Sequence, residues 1–405
     1  MAISSRSLLS LQRPLSCLMT ADSANPTSLT SEANALSRNP GIDLLRGLAI
    51  LLVVIHHVGL RIPLKQGVLA TFLPKWVLSA LIYNGYKAVF VFFVISGFLI
   101  TSNTLARWGS LAAMDARTFY VRRAVRILPC LLILVAVLSA LHLAGAGDYV
   151  IHHANQSLPR AIFSALGLHL NWYEGMTGYL PGNWDVLWSL SIEEVFYLGF
   201  PLLCLGLRRN GMLVPALVLL ALSLPASRAA LAGNQVWQEK AYLPGMAAIA
   251  TGVLGALLAA RLRSQPRWFL GLLYGFGSIG LFTVFCFEGK LWSFLGNGTM
   301  LVLTAAALAL VLAFHLQARD GTLSPIPGTR WLRSFGRLSY EIYLTHMFLV
   351  WPVIHAFKAR GGQLWWGILW YVPVVASSWL LGWLVARFLS IPSERFLRHR
   401  LLQAL

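Results

Sequence analysis

An arginine and a histidine inside one apolar run are the first residues of this sequence with evident chemistry. Arg46 and His57 both lie in residues 43–57, which read Asp-Leu-Leu-Arg-Gly-Leu-Ala-Ile-Leu-Leu-Val-Val-Ile-His-His. In a helix their spacing places them within about 20° of one face and roughly 16 Å apart along the axis. Polar groups in a membrane-spanning helix usually face a bundle interior or a wet cavity, so the pair indicates a functional site. An arginine that extends to lipid headgroups and a structural histidine are the alternative interpretation.

Two carboxylates, Glu193 and Glu194, lie early in a second apolar segment. They are costly inside a membrane unless they have partners. Counting about 1.5 Å per residue from the outer end of each helix puts Glu193 at the depth of His57. We therefore predict that Glu193 orients His57 as a general base, since a carboxylate fixes the imidazole tautomer and raises its basicity. A purely structural Glu–His pair is the alternative.

Three arginines at one end of a third segment have the spacing to converge on a polyanion. Arg122 and Arg126 are spaced i, i+4, and Arg123 and Arg126 are spaced i, i+3, so all three can share one helical face. Guanidinium groups pair bidentately with phosphate oxygens, which suits a polyphosphate. The alternative is that these charges only set the orientation of the helix in the membrane.

Other polar residues inside apolar runs have packing as their simpler interpretation. Ser96 and Gly97 lie near the middle of one segment, where small residues let helices approach closely. Tyr340, Tyr343 and His346 step by three along another segment, which gives a polar stripe suited to hydrogen bonding in the core.

Metal binding and ATP-driven transport have no support in the sequence. The histidines at 56–57 and 152–153 are adjacent pairs, and no His-x-x-x-His or Cys-x-x-Cys spacing accompanies them, so we predict no metal site. A Gly-Lys-Ser/Thr phosphate loop is absent as well.

The composition indicates what kind of elements position these residues. Of 405 residues, 57% are hydrophobic and 11% are charged, against about 25% charged in soluble domains. The mean hydropathy is +0.68. The net charge of +18 comes from short basic clusters between apolar runs, a placement typical of membrane topology rather than of nucleic-acid binding. The sequence therefore predicts an all-α, multi-pass integral membrane protein with no nucleic-acid partner.

About ten apolar segments are long enough to be transmembrane helices across a hydrocarbon core about 30 Å thick. They lie at about 42–61, 83–104, 127–146, 186–207, 212–231, 244–261, 268–287, 294–317, 338–358 and 365–388. One set of loops holds 21 Lys and Arg residues and the other holds 10, which predicts that both termini are cytoplasmic. We also predict a disordered cytoplasmic tail over 1–40 and a short basic cytoplasmic tail over 391–405. The longest exterior connection, about 147–185, is rich in aromatic residues and is either functional or an interfacial anchor.

Five stretches, in this order, resemble the acyltransferase-3 family of integral membrane O-acyltransferases. They are Arg46-x10-His57, Phe-Phe-Val-Ile-Ser-Gly-Phe-Leu-Ile at 92–100, Arg122-Arg123-x-x-Arg126-x-x-Pro129, Trp188-Ser189-Leu190-x-x-Glu193 and Ser339-Tyr340-x-x-Tyr343-Leu344-x-His346. The resemblance covers residues 41–390, and the chain looks like a stand-alone form without the SGNH-type domain that many members carry. It implies transfer of an acyl group, usually acetyl, from cytoplasmic acyl-CoA to a hydroxyl, commonly of an envelope polysaccharide, O-antigen or lipid-linked sugar. It also implies a location in the bacterial inner membrane.

The resemblance also implies roles for particular residues. Arg46 and His57 match a motif that the family is taken to require. We expect His57 to act as the general base, with Glu193 supporting it and Arg46 guiding the donor, acetyl-CoA. The residues expected to bind the phosphates of acyl-CoA are Arg122, Arg123 and Arg126. The remaining motif residues, expected to support the substrates or the structure, are Ser96, Trp188, Ser189, Tyr340 and His346.

Two other classes of protein stay open at this point. A proton-coupled transporter or flippase would use the embedded Arg, His and Glu as a proton relay, but it predicts inverted repeats and matching broken helices, which the sequence lacks. A membrane scaffold without activity would leave those residues unexplained. The expected partners are therefore acyl-CoA, a carbohydrate or glycolipid acceptor, and membrane lipids.

Overall fold

The computed structural model describes residues 38–207 and 211–403. Over these residues the chain forms helices and turns and no β-strand, which confirms the predicted all-α class. The tail predicted at 1–40 lies almost wholly outside the described residues. The C-terminal tail predicted at 391–405 is helical as far as residue 403, and this helix packs against the helix that begins at Ala116.

The α-helices are numbered here in chain order. The first ten are α1 Pro40–Gly59, α2 Lys75–Ile82, α3 Gly85–Trp108, α4 Ala116–Leu143, α5 Leu158–Leu166, α6 Leu170–Thr177, α7 Gly182–Asp185, α8 Leu187–Leu207, α9 Leu213–Leu222 and α10 Leu224–Ala229. The next ten are α11 Gln235–Lys240, α12 Tyr242–Arg261, α13 Arg267–Cys286, α14 Glu288–Leu295, α15 Thr299–Arg319, α16 Arg330–Arg337, α17 Ser339–Thr345, α18 Met347–Ala359, α19 Tyr371–Val385 and α20 Ile391–Gln403.

Eight helical stretches among the described residues are long and apolar enough to cross a membrane, and α9 and α18 are shorter apolar helices. Two of the ten predicted segments are interrupted: residues 212–231 divide into α9 and α10, and residues 338–358 divide into α17 and α18. Pro225 lies in the first turn of α10, where a residue without an N–H suits the start of a new helix. At His346, where α17 gives way to α18, the ring Nδ1 lies within hydrogen-bond distance of carbonyl oxygens one turn earlier.

Helix α1 lies against α16 with the two backbones in direct contact. A Cβ added at Gly47 would lie 1.9 Å from the carbonyl oxygen of Leu332, and one added at Gly336 would lie 1.8 Å from that of Asp43. Glycine is the residue that fits at such distances, because it has no side chain. Since α17 begins directly after α16, this contact places the start of α17 beside α1.

The prediction that small residues bring helices together is confirmed for Gly97 in α3. A Cβ there would lie 2.0 Å from the carbonyl oxygen of Ile249 in α12, so the two helices pack backbone to backbone. The neighbouring Ser96 has a different role, because its hydroxyl is part of the polar cluster described below.

The long connection at 147–185 forms α5, α6 and α7 and is held by a buried ion network. The Lys240 ammonium lies 2.8 Å from a carboxylate oxygen of Glu174 and also hydrogen-bonds to Asp185. Lys240 and Glu174 are both buried. Asn171 adds a hydrogen bond of 3.0 Å to the carbonyl oxygen of Lys240. The network therefore ties the connection to the end of α11.

Replacing Gly336 by alanine is expected to destabilise the protein by about 1–3 kcal/mol, because the new methyl group overlaps the Asp43 carbonyl oxygen and forces α1 away from α16. Thermal unfolding in detergent measures the change. Gly275→Ala is the matched control, since Gly275 is also helical but a Cβ there meets nothing within 4 Å. Equal stability of the two variants would contradict the close contact.

Lys240→Met is expected to destabilise the protein by about 3–5 kcal/mol, because it leaves two carboxylates in the interior without their cation. The same unfolding measurement applies. Lys75→Met removes an exposed ammonium at the start of α2 and serves as the control for the loss of one positive charge. If Lys240→Met unfolds at the temperature of the control, the network does not hold the connection.

Candidate active site

Arg46 and Ser339 form the first contact between α1 and α17. The Arg46 guanidinium donates two hydrogen bonds to the Ser339 hydroxyl oxygen, of 2.7 Å from Nη2 and 3.2 Å from Nε. Arg46 is half-buried. The Arg46 side chain therefore faces another helix of the bundle.

His57 lies at the other end of α1 and faces the other end of α17. The centroid of its ring is 5.1 Å from that of the His346 ring, and the two rings are tilted by 44°. His56 turns away, because its Nδ1 is 2.6 Å from the carbonyl oxygen of Ile82 and its ring packs against Gly85. Arg46 and His57 thus both face the segment that runs from Ser339 to His346, as their spacing predicts.

Between these two contacts, other helices meet α17 through hydroxyl groups. Ser189 Oγ in α8 and Tyr343 OH are 2.7 Å apart and share a hydrogen bond. The Tyr340 hydroxyl donates a hydrogen bond of 3.3 Å to the carbonyl oxygen of Ile127 in α4. Trp188 packs against aromatic rings of α3, so its contacts are those of helix packing. The polar stripe predicted on this segment therefore makes hydrogen bonds along most of its length.

No hydrogen bond or ion pair joins Glu193 to His57 among the described residues, and the partners of Glu193 are not the one expected from the sequence. The Glu193 carboxylate oxygen Oε1 accepts hydrogen bonds from the hydroxyls of Ser96 and Tyr197. The guanidinium Nη2 of Arg123 lies 3.7 Å from the same oxygen. The depth estimate fails because it gives a position along the helix axis and says nothing about which neighbour the side chain meets.

The three arginines of α4 have different surroundings in the structure. The Arg123 guanidinium lies 3.7 Å above the Tyr197 ring and 3.6 Å from Oε1 of Glu194, so nearby carboxylates balance its charge. Arg126 is exposed, whereas Arg122 is half-buried. The Nε atoms of Arg122 and Arg123 are buried and have no hydrogen-bond partner. Only part of the predicted cluster is thus free to take a phosphate group.

Tyr197 and Glu194 complete this polar cluster, and neither is among the site residues predicted from the sequence. Tyr197 follows Glu193 by four residues, which places both on one face of α8. That spacing is a usable signal for the hydrogen bond between them. The position of Arg123 above the Tyr197 ring has no comparable signal, because it depends on how α4 packs against α8.

The fold and these motifs define a polytopic membrane protein of the acyltransferase class. Residues 39–387 match the Acyltransferase domain of the acyltransferase-3 family. The chain belongs to this family.

Curated relatives include proteins of Staphylococcus aureus. The protein named "Putative O-acetyltransferase SACOL0978" of strain COL is 24% identical over 343 residues, which are 80% of this chain and 52% of the relative. The O-acetyltransferase OatA of strain NCTC 8325 is 26% identical over 386 residues, 88% of this chain and 57% of OatA. The chain thus spans about half the length of the curated relatives it matches. No solved structure matches it.

Replacing Arg123 by leucine is expected to destabilise the protein by about 1–3 kcal/mol, because Glu193 and Glu194 then lie close together without a cation. The further change Glu193→Gln should recover part of the loss, since it removes one of the two like charges. Thermal unfolding of the single and double variants measures this coupling. Arg117→Leu, an exposed arginine at the start of the same helix, is the control. Additive losses in the double variant would contradict the ion pair.

Proposed function

We propose that this chain is a membrane-bound O-acyltransferase that moves an acyl group, in the first instance acetyl, from acyl-CoA to a hydroxyl of a carbohydrate or glycolipid. Membership of the acyltransferase-3 family supports the reaction class, and the names of the Staphylococcus aureus relatives support O-acetyl transfer. The observation that carries the proposal is the arrangement along α17, which brings Ser339 to Arg46 at one end and His346 to His57 at the other.

His57 is the proposed general base. It is half-buried, and its ring takes part in no ion pair among the described residues. The acceptor hydroxyl oxygen attacks the thioester carbonyl carbon while His57 takes the hydroxyl proton. A C–O ester bond forms, the C–S bond breaks, and the departing thiolate receives the proton from His57. A positioned proton acceptor of this kind typically contributes about 10²–10⁴-fold.

The donor phosphates are proposed to bind at the start of α4. The buried N–H groups at Nε of Arg122 and Arg123 have no hydrogen-bond partner, so a phosphate oxygen that reaches them would satisfy an unpaired donor. Arg126 is exposed on the same helix and adds a positive charge. Because carboxylates already balance Arg123, its proposed contribution is one hydrogen bond rather than a full charge. Arg46 is proposed to guide the donor toward His57.

The proposed orientation places the Arg46 end of the bundle in the cytoplasm. Loops on that side carry about twice as many Lys and Arg residues as the loops on the other side. Acyl-CoA would then enter from the cytoplasm, and the acceptor would meet His57 from the opposite face of the bacterial inner membrane. The transmembrane domain is proposed to occupy 41–390, with 391–405 on the cytoplasmic side.

His57→Ala is expected to lower kcat/KM for acyl transfer by about 10²–10⁴-fold, because no other group takes the acceptor proton. Inverted membrane vesicles incubated with labelled acetyl-CoA measure the transfer of label into glycan or lipid. His399→Ala serves as the control, since His399 is exposed on α20 and contacts Gln403.

Two results would contradict the proposal. Undiminished transfer by His57→Ala would show that His57 is not the general base. Flux of a polar solute through wild-type vesicles, with no label in any glycan or lipid, would favour the proton-coupled transporter instead.

A further inference from the structure

The His346 ring is buried, and its hydrogen-bond partners indicate which tautomer it takes. It has 0% relative exposure. Its Nδ1 lies 3.1 Å from the carbonyl oxygen of Ile342 and 2.9 Å from that of Tyr343. Carbonyl oxygens can only accept hydrogen bonds, so we assign the ring hydrogen to Nδ1. The other ring nitrogen, Nε2, then carries a lone pair.

Nε2 of His346 has no partner among the described residues. It is buried, and no donor lies within hydrogen-bond distance. A buried acceptor without a donor costs free energy, so its presence calls for a group that donates to it at some stage. Because Nδ1 is bonded to the backbone of the same helix, Nε2 lies on the part of the ring that is turned away from that backbone.

His57 is the ring placed to supply that donor. The two centroids are 5.1 Å apart. Since a ring nitrogen lies about 1.2 Å from its own centroid, two nitrogens that face each other across this gap would be roughly 2.7 Å apart, a hydrogen-bond distance. The hydrogen bond therefore requires the His57 ring to rotate about its side-chain torsions, because Nε2 of His346 has no partner in the structure.

We infer that His346 is a positioning residue for His57, through a hydrogen bond from an N–H of His57 to Nε2 of His346. This bond fixes the hydrogen on one nitrogen of His57 and leaves the lone pair of the other for the acceptor hydroxyl. The inference rests on the proposed function of His57. The neutral imidazole of His346 then has the orienting role that the sequence suggested for Glu193.

The neutral character of His346 sets the size of the expected effect. A carboxylate partner would both fix the tautomer and stabilise the imidazolium, whereas a neutral imidazole does only the first. Losing the partner should therefore cost less than losing His57 itself. We expect a decrease in kcat of about 10–100-fold, the range typical of groups that orient a functional side chain.

Substitutions of His346 by glutamine and by asparagine distinguish the roles of its two ring nitrogens. The amide group of glutamine reaches the position of Nε2 and offers an oxygen acceptor to His57. The amide of asparagine reaches only the position of Nδ1, so it can keep the bond to the backbone carbonyl but offers nothing to His57. Kinetics of acetyl transfer by His346→Gln and His346→Asn, with thermal unfolding of each, form the test.

We expect His346→Asn to lose about 10–100-fold in kcat with an unchanged KM for acetyl-CoA, and His346→Gln to recover at least half of that loss on a logarithmic scale. Similar unfolding temperatures of the two variants show that the difference is not one of folding. His399→Asn and His399→Gln are the controls for the substitutions themselves.

Three outcomes would overturn the inference. They are wild-type kcat in His346→Asn, equal losses in the two variants, and a change confined to KM. Failure of the proposed function gives a different result. Undiminished transfer by His57→Ala would show that His57 is not the general base, whatever the His346 variants do.

Discussion

The backbone contact between α1 and α16 is the constraint on which the site depends. The backbones at Gly47 and Gly336 lie so close to the facing helix that no side chain fits between them. The two helices therefore meet in one register. Helix α17 follows α16 directly, so that register sets which residues of α17 face α1. His57 then meets His346. A shift of one residue would rotate α17 by about 100° and turn its polar residues away from α1.

The two contacts between α1 and α17 are farther apart along α1 than along α17. The length of the Arg46 side chain accounts for the difference. Arg46 and His57 are separated by roughly 16 Å along α1, whereas Ser339 and His346 are separated by roughly 10 Å along α17. The remaining distance of about 6 Å is within the reach of an arginine side chain, which can extend while its charged end stays bonded. The Arg46 backbone therefore lies before the start of α17, and its guanidinium reaches forward to Ser339.

Local patterns in the sequence are enough to predict the helices and the common face of Arg46 and His57, because hydropathy and helical periodicity belong to single segments. The partner of Glu193 is not predictable in this way. Arg123 lies on a different helix, and it attracts Glu193 because opposite charges interact strongly away from water. His346 belongs to a stripe that the sequence shows, but its tautomer depends on carbonyl oxygens that only the folded helix places within reach.

Among the described residues, the ion pairs of the bundle do not include the His57 ring. One ion cluster contains Arg123, Glu193 and Glu194, and another contains Lys240, Glu174 and Asp185. The rings that meet the His57 ring are those of His56 and His346, which can both be neutral. A fixed charge in contact with a base favours one protonation state throughout the reaction. Such a charge does not help a base that must accept and release a proton in each cycle. A neutral partner instead fixes where the proton sits and leaves the imidazole free to change its charge.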